Sequence, residues 1–164
     1  MGATVRIELR KISDEAHELA IVRLAGALDP GARESLRCET RSTLVHDLLH
    51  FAAEKEAGVQ SGFWGTLAAG HTLADMNDRT GVALGAAGPD VMAVERIVGP
   101  LSAALKGTSA ADLVVRLRGY LAETGTPAPA WLTEAFVAAV QERMRRLLGA
   151  WRAVPFGESL HLDW

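Results

Sequence analysis

Residues 4–10 alternate without a break, with Val5, Ile7 and Leu9 on one side and Thr4, Arg6, Glu8 and Arg10 on the other. Successive side chains of a strand point to opposite faces, so this pattern predicts a half-buried strand. Residues 19–24 predict a second, more apolar strand containing the β-branched Ile21 and Val22. The polar stretch 12–18 connects the two, and together they predict an antiparallel hairpin. Asp29-Pro30-Gly31 then breaks the chain. Alternation returns at residues 159–164, where Leu160, Leu162 and Trp164 share a face. A strand there, returning to the hairpin, would bring both ends of the chain into one small sheet.

The middle of the chain changes period. Residues 42–58 predict a helix, with Ser42 or Thr43 as N-cap and Gly58 as the stop. A second helix is predicted over 62–76. Residues 90–106, 109–123 and 130–151 each carry apolar residues at spacings of three and four, the mark of helices that bury one stripe. Gly81, Gly85 and Gly88 make residues 81–89 a mobile linker or a close backbone contact. Gly125-Thr126-Pro127-Ala128-Pro129 reads as a rigid turn. The fold class that follows is α+β: a small antiparallel sheet, built from the N-terminal hairpin and the C-terminal strand, packed with about five helices in a single domain, 1–164.

Composition narrows the partners. A hydrophobic content of 49% over 164 residues is enough for a core without disulfides or structural metal. Net charge is −3 and the basic residues are scattered, apart from Arg143, Arg145 and Arg146 near a helix end, so no nucleic-acid partner is expected. The apolar stretches are interrupted too soon to span a bilayer, and no membrane partner is expected. The N-terminus lacks the apolar run of a signal peptide, and the single Cys38 fits a reducing compartment, which together make a cytoplasmic location the expectation.

One segment carries candidate chemistry. At ~100° per residue, the 42–58 helix puts Leu44, Val45, Leu48, Leu49, Phe51 and Ala52 on one broad side. His46, His50 and Glu54 fall on the other, with Ala53 and Ala57 beside them and Asp47 at the margin. Two histidines four apart on one face can point at a single ion, and an adjacent carboxylate can hold a bound water as general base.

His46-Asp47-Leu48-Leu49-His50 therefore resembles the H-E-x-x-H helix of the zincin metallohydrolases, over five contiguous residues, with Asp47 in place of the usual Glu. The shorter Asp47 reaches one methylene less far. The thermolysin-like branch has a third ligand some twenty residues later and an Asp four residues beyond it. His71-Thr72-Leu73-Ala74-Asp75 stands at a comparable distance, with His where that branch has Glu. The resemblance implies zinc held by His46, His50 and His71, Asp47 activating a water, and Asp75 orienting an imidazole. Glu54, Asp75 and Asp78 are the other candidates for the third ligand, and His161 is a more distant one. His46-Asp47 also resembles the His-Asp pair of the HD phosphohydrolases, whose further His lies on an earlier helix; the only upstream histidine, His17, falls in the predicted hairpin connection.

Plain scaffold is a competing account. His46, His50 and Glu54 would be the solvated face of a surface helix, Asp47 a favourable charge near its N-terminus, and His71 a packing residue in an Ala/Gly-rich stretch. Cys38 would be a buried, reduced thiol, and Phe63-Trp64 either core or the wall of a pocket. Two functions follow: a zincin-like metal-dependent hydrolase, intact or degenerate, or a non-enzymatic binding protein that forms a homo-oligomer.

Overall fold

The computed structural model describes residues 4–77 and 88–164. Strand β1 (Val5–Lys11) pairs antiparallel with β2 (Ala16–Arg23), as the alternation predicts. The turn between them is shorter than expected, because Ser13 Oγ accepts the Glu15 and Ala16 N–H groups and lets β2 begin at Ala16. His17 thereby moves from a connection into a strand. The C-terminal strand β4 (Ser159–Asp163) lies against the free edge of β1, again antiparallel. Trp164 closes the junction: its carbonyl accepts the Thr4 N–H at 2.9 Å and its own N–H donates to the Val5 carbonyl at 2.9 Å.

The sheet has a fourth strand, β3 (Arg33–Glu39), on the outer side of β2, giving the order β3-β2-β1-β4. One face carries Val5, Ile7, Leu9, Leu19, Ile21 and Leu162, all buried. The other face is charged and laced by ion pairs, among them Arg6 with Asp163 at 2.9 Å and Arg33 with Glu8 at 2.6 Å. Pairs of this exposure add little stability; they keep the outer face wet.

Helix α1 (Thr40–Ala57) follows β3 directly and crosses the apolar face of the sheet. It starts earlier than the sequence suggests. Glu39 occupies the N-cap position without a side-chain bond, while Thr43 Oγ1 and Ser42 Oγ reach back to the Glu39 carbonyl at 2.8 and 3.4 Å. Those hydroxyls are spent inside the first turn, so neither marks its boundary. At the other end Gly58, with φ +69°, stops the helix as expected.

The single helix predicted over 62–76 is two short ones, α2 (Phe63–Ala68) and α3 (Leu73–Asn77). Gly70, at φ +114°, turns the chain between them. Helices α4 (Pro89–Ala103), α5 (Ala110–Glu123) and α6 (Glu134–Ala153) complete the layer; α6 is capped by Thr133, whose hydroxyl accepts the Phe136 N–H at 3.1 Å. Most of the stretch 81–89 and Asp78 lie outside the described residues. Helix α1 packs against the sheet, α2, α4 and α6, so it runs through the middle of the core and not along its surface. Among the described residues no helix is long and apolar enough to cross a membrane.

Candidate metal centre on helix α1

The central position of α1 decides what its polar row can do. His46 is exposed, but His50 is 3% exposed and Glu54 is fully buried. The solvated-face account therefore fits His46 alone. Residues four apart stack along one side of a helix, and here the His46 and His50 rings lie 4.6 Å apart, tilted by 60°.

Each imidazole has a carboxylate at its Nδ1. His46 Nδ1 lies 3.4 Å from Asp47 Oδ1, and His50 Nδ1 lies 3.4 Å from Glu54 Oε2. A carboxylate at Nδ1 favours the proton there and leaves the Nε2 lone pair free. His50 Nε2 faces Glu95 Oε2 of α4 at 3.8 Å. Phe63, half-buried, forms an adjacent wall with its ring centroid 6.3 Å from that of His50.

Glu54 is held from its other side. The Trp64 N–H donates to Glu54 Oε1 at 3.1 Å, with the Gly65 N–H beside it, so the carboxylate terminates the first turn of α2. Trp64 Nε1–H donates to the Asp47 carbonyl at 3.2 Å and ties the same helix to α1 a second time. Trp64 is core, as one of the two sequence readings had it, while Phe63 reaches the candidate site.

Two glycines make this approach feasible. A Cβ on Gly62 would collide with the Glu54 carboxylate, and one on Gly65 would collide with the Gln60 carbonyl. Burial pushes the Glu54 carboxyl up, against the opposing pull of His50 and the two N–H groups. For His50, burial acts against protonation but is outweighed by Glu54, Glu95 and Asp47, so its pKa is raised. Both groups are thus held toward their protonated forms, and so close a pair is coupled in its titration. A metal ion taken up at His50 would have to release a proton.

Elsewhere the placement differs from the expected ligand set. His71 is 52% exposed beyond α2, with Asp75 Oδ2 at 4.0 Å and its carbonyl held by Arg23 at 2.7 Å. Asp75 accepts the Thr72 N–H at 2.9 Å while Thr72 Oγ1 accepts the Asp75 N–H at 3.0 Å, a reciprocal cap on α3. Those Thr72 bonds, with a smaller contribution from His71, hold the Asp75 carboxyl below its usual range. Asp75 is thus occupied in capping, and no contact joins His71 to the α1 pair among the described residues. His161 is exposed on β4. Among the described residues, no three His, Cys, Asp or Glu side chains meet at a common metal-binding point as the structure stands.

His17, on β2, is fully buried, with Nδ1 bonded to Thr40 Oγ1 at 2.9 Å and its ring edge-on to Trp151 at 5.7 Å. It does not sit on a helix before α1, where the HD phosphohydrolase pattern wants it. Burial lowers its pKa below 6.5, outweighing the field of Asp47. A group whose folded pKa is depressed contributes stability above its unfolded pKa and loses it as pH falls through the folded one. Denaturation midpoints of the parent are therefore expected to fall as pH drops below about 6.5. In His17→Asn that part of the acid slope should vanish; an unchanged slope would show that other groups cause it.

Cys38 is the penultimate residue of β3, buried near the start of α1. Burial, with Asp47 adding to it, pushes its thiol up, which favours the reduced, inert form that the sequence suggests.

Glu95 and the Gly62–Gly65 pair are the parts of this centre that sequence reasoning missed. A signal for the second was present: Ala53 and Ala57 flank the polar row, and small residues on both sides of it mean close packing and not solvent. No protein-family model matches this chain, and neither a curated protein nor a solved structure matches it.

Proposed function

We propose that the protein is a zincin-like, metal-dependent hydrolase whose zinc is held on α1 by His46 and His50. One observation supports this reading above the rest: two imidazoles in contact, each with a carboxylate beside its Nδ1. The carboxylate–histidine pairing is what orients imidazoles at metal sites. A purely structural row would have no need of the second pair, because His46 is already solvated.

The donor set suits zinc, which takes nitrogen and oxygen ligands at roughly 2.0–2.1 Å. Bound there, zinc would polarise a substrate carbonyl and lower the pKa of a water. Asp47 Oδ1 orients His46, and Oδ2 is the atom available to take up a proton from that water. Glu54, fixed by α2, sets the tautomer of His50 from behind. Phe63 excludes solvent from the inner side of His50.

Metal content of tag-free protein tests the proposal. Near-stoichiometric zinc in the parent, lost in a His46→Ala/His50→Ala double variant, is the expected result. The single His46→Ala change, at an exposed position, should leave the fold intact and still weaken zinc at least tenfold. Parent protein that is metal-free and takes up no added zinc would overturn the reading, leaving non-enzymatic binding or self-association as the function to pursue.

A further inference from the structure

Strand β3 ends the sheet on the side away from β1 and β4, and among the described residues no strand lies beside its outer edge. Hydrogen bonds at its two ends show which groups that edge carries. The Arg23 N–H donates to the Ala32 carbonyl at 2.8 Å, and the Thr40 N–H donates to the Glu15 carbonyl at 2.8 Å. In an antiparallel ladder the groups bonded to one neighbour recur at every second residue. Glu34, Leu36 and Cys38 therefore face β2, while Arg33, Ser35, Arg37 and Glu39 turn their N–H groups outward, and all four are exposed.

Such an edge is a template for a further strand, and proteins commonly blunt it with proline, lysine, a bulge or an inward charge. β3 contains neither proline nor lysine, and its register with β2 is unbroken. Its inward charge, Glu34, is already met by Arg23 at 3.9 Å and by the Leu73 N–H at 3.2 Å.

We propose that β3 pairs antiparallel with β3 of a second copy of this chain, about a two-fold axis through Leu36, so that two four-stranded sheets join into one.

The side chains select the register. Opposite residues of an antiparallel pair point to the same face, so a continuous sheet must set outer residues against outer ones. Extensive overlap then places the axis at Ser35, Leu36 or Arg37. An axis at Ser35 sets Arg33 opposite Arg37, and one at Arg37 sets the two copies of Arg37 against each other. Like charges directly opposite are destabilising. An axis at Leu36 instead sets Arg33 opposite Glu39 of the second copy, twice by symmetry, with Ser35 opposite Arg37. It also uses the whole strand and brings the two half-buried Leu36 side chains together at its centre.

The neighbouring charges suit this arrangement. Arg33 already lies 2.6 Å from Glu8 and 3.9 Å from Glu18, and Arg37 has Glu18 opposite it on β2, so the new pairs prolong an existing ladder of alternating sign. Exposed ion pairs fix a register more than they add affinity; main-chain bonds and Leu36 supply that. The other open edge lacks the self-complementarity. β4 has five residues against seven, and a two-fold at His161 would set Ser159 opposite Asp163, which is tied to Arg6. One isologous contact closes on itself, giving a dimer and not a filament. Nothing in it draws on His46 or His50.

Sedimentation of the full chain over a range of concentrations reads the assembly, with three single variants whose folding circular dichroism checks. The parent should be a dimer in reversible equilibrium with monomer. Arg33→Glu and Glu39→Arg should each weaken that dimer at least about tenfold, since each turns two attractive pairs into repulsive ones. Mixed in equal amounts, these two variants should associate again, because each then presents to the other the charge it lacks. Ser35→Pro removes an outward N–H near the middle of the edge, where proline is tolerated, and should give a monomer. A parent that is monomeric at every concentration would overturn the proposal. So would a dimer untouched by Ser35→Pro, or folded charge variants that fail to associate when mixed; should either charge variant not fold, Ser35→Pro against the parent decides alone. Species that keep growing with concentration would overturn the closed two-fold contact.

Discussion

Gly65→Ala is expected to cost on the order of 3 kcal/mol, because overpacking a rigid core forces backbone as well as side chains to move. The new Cβ would lie on the Gln60 carbonyl, and a carbonyl in the main chain cannot swing aside as a side chain can. Relief would require the 58–62 connection to shift, and that connection also delivers the Trp64 N–H to Glu54. The penalty therefore includes a hydrogen bond to a buried carboxylate as well as the clash. For a domain of this size the loss corresponds to a melting point lower by roughly 6–12 °C. Chemical denaturation measures it; a variant within about 0.5 kcal/mol of the parent, the scale of ordinary surface changes, would mean that the close approach does not exist in solution. Gly62→Ala, whose obstacle is the Glu54 side chain, should cost less.

The second large effect belongs to Glu54→Ala, at roughly 3–5 kcal/mol. Removing one member of a buried pair is worse than never having built it. His50 stays buried without its partner, the Trp64 N–H has no acceptor, and a cavity opens between α1 and α2. Glu54→Gln keeps the volume, one acceptor oxygen and a polar contact to His50, so its cost should be less than half as large. If the two variants were equally destabilised, charge and not hydrogen bonding would be what holds α2. If neither were, the latch between α1 and α2 would be ornamental.

The parts of the fold legible in the sequence are those in which one face is apolar and the other polar. Strands β1 and β4 show that contrast residue by residue, and so do α5 and α6. Strand β3 does not: of Arg33–Glu39 only Leu36 and Cys38 are apolar, and the inward Glu34 is there to meet Arg23 at 3.9 Å. An inward charge erases the alternation that marks a strand. The start of α1 was hidden for a related reason, since Ser42 and Thr43 have the side chains of caps but bond backwards into the turn.

For the site, spacing found the pair and could go no further. A spacing of four from His46 to His50 suffices to put both on one side of a helix whatever the tertiary structure. Whether that side meets solvent depends on α2 and α4, which arrive from elsewhere in the chain. Glu95 lies 45 positions from His50, and nothing in its neighbourhood distinguishes it from any charged residue at the margin of an amphipathic helix. His71 and Asp75 had the better spacing, yet the turn at Gly70 sends them to Arg23 and to the cap of α3.

The joining of β4 to β1 has a temporal side. During synthesis β1 emerges first and β4 about 150 residues later, on the order of ten seconds at ribosomal speed. Throughout that interval the growing hairpin presents an unpaired strand edge, the kind of surface on which neighbouring nascent chains aggregate. Arg6, Glu8, Arg10 and Lys11 crowd that strand with charge of both signs, most of it on the side away from the core. Their ion pairs add little once folding is over; their larger service is to the unfinished protein, which they keep apart from its neighbours until its own last strand arrives.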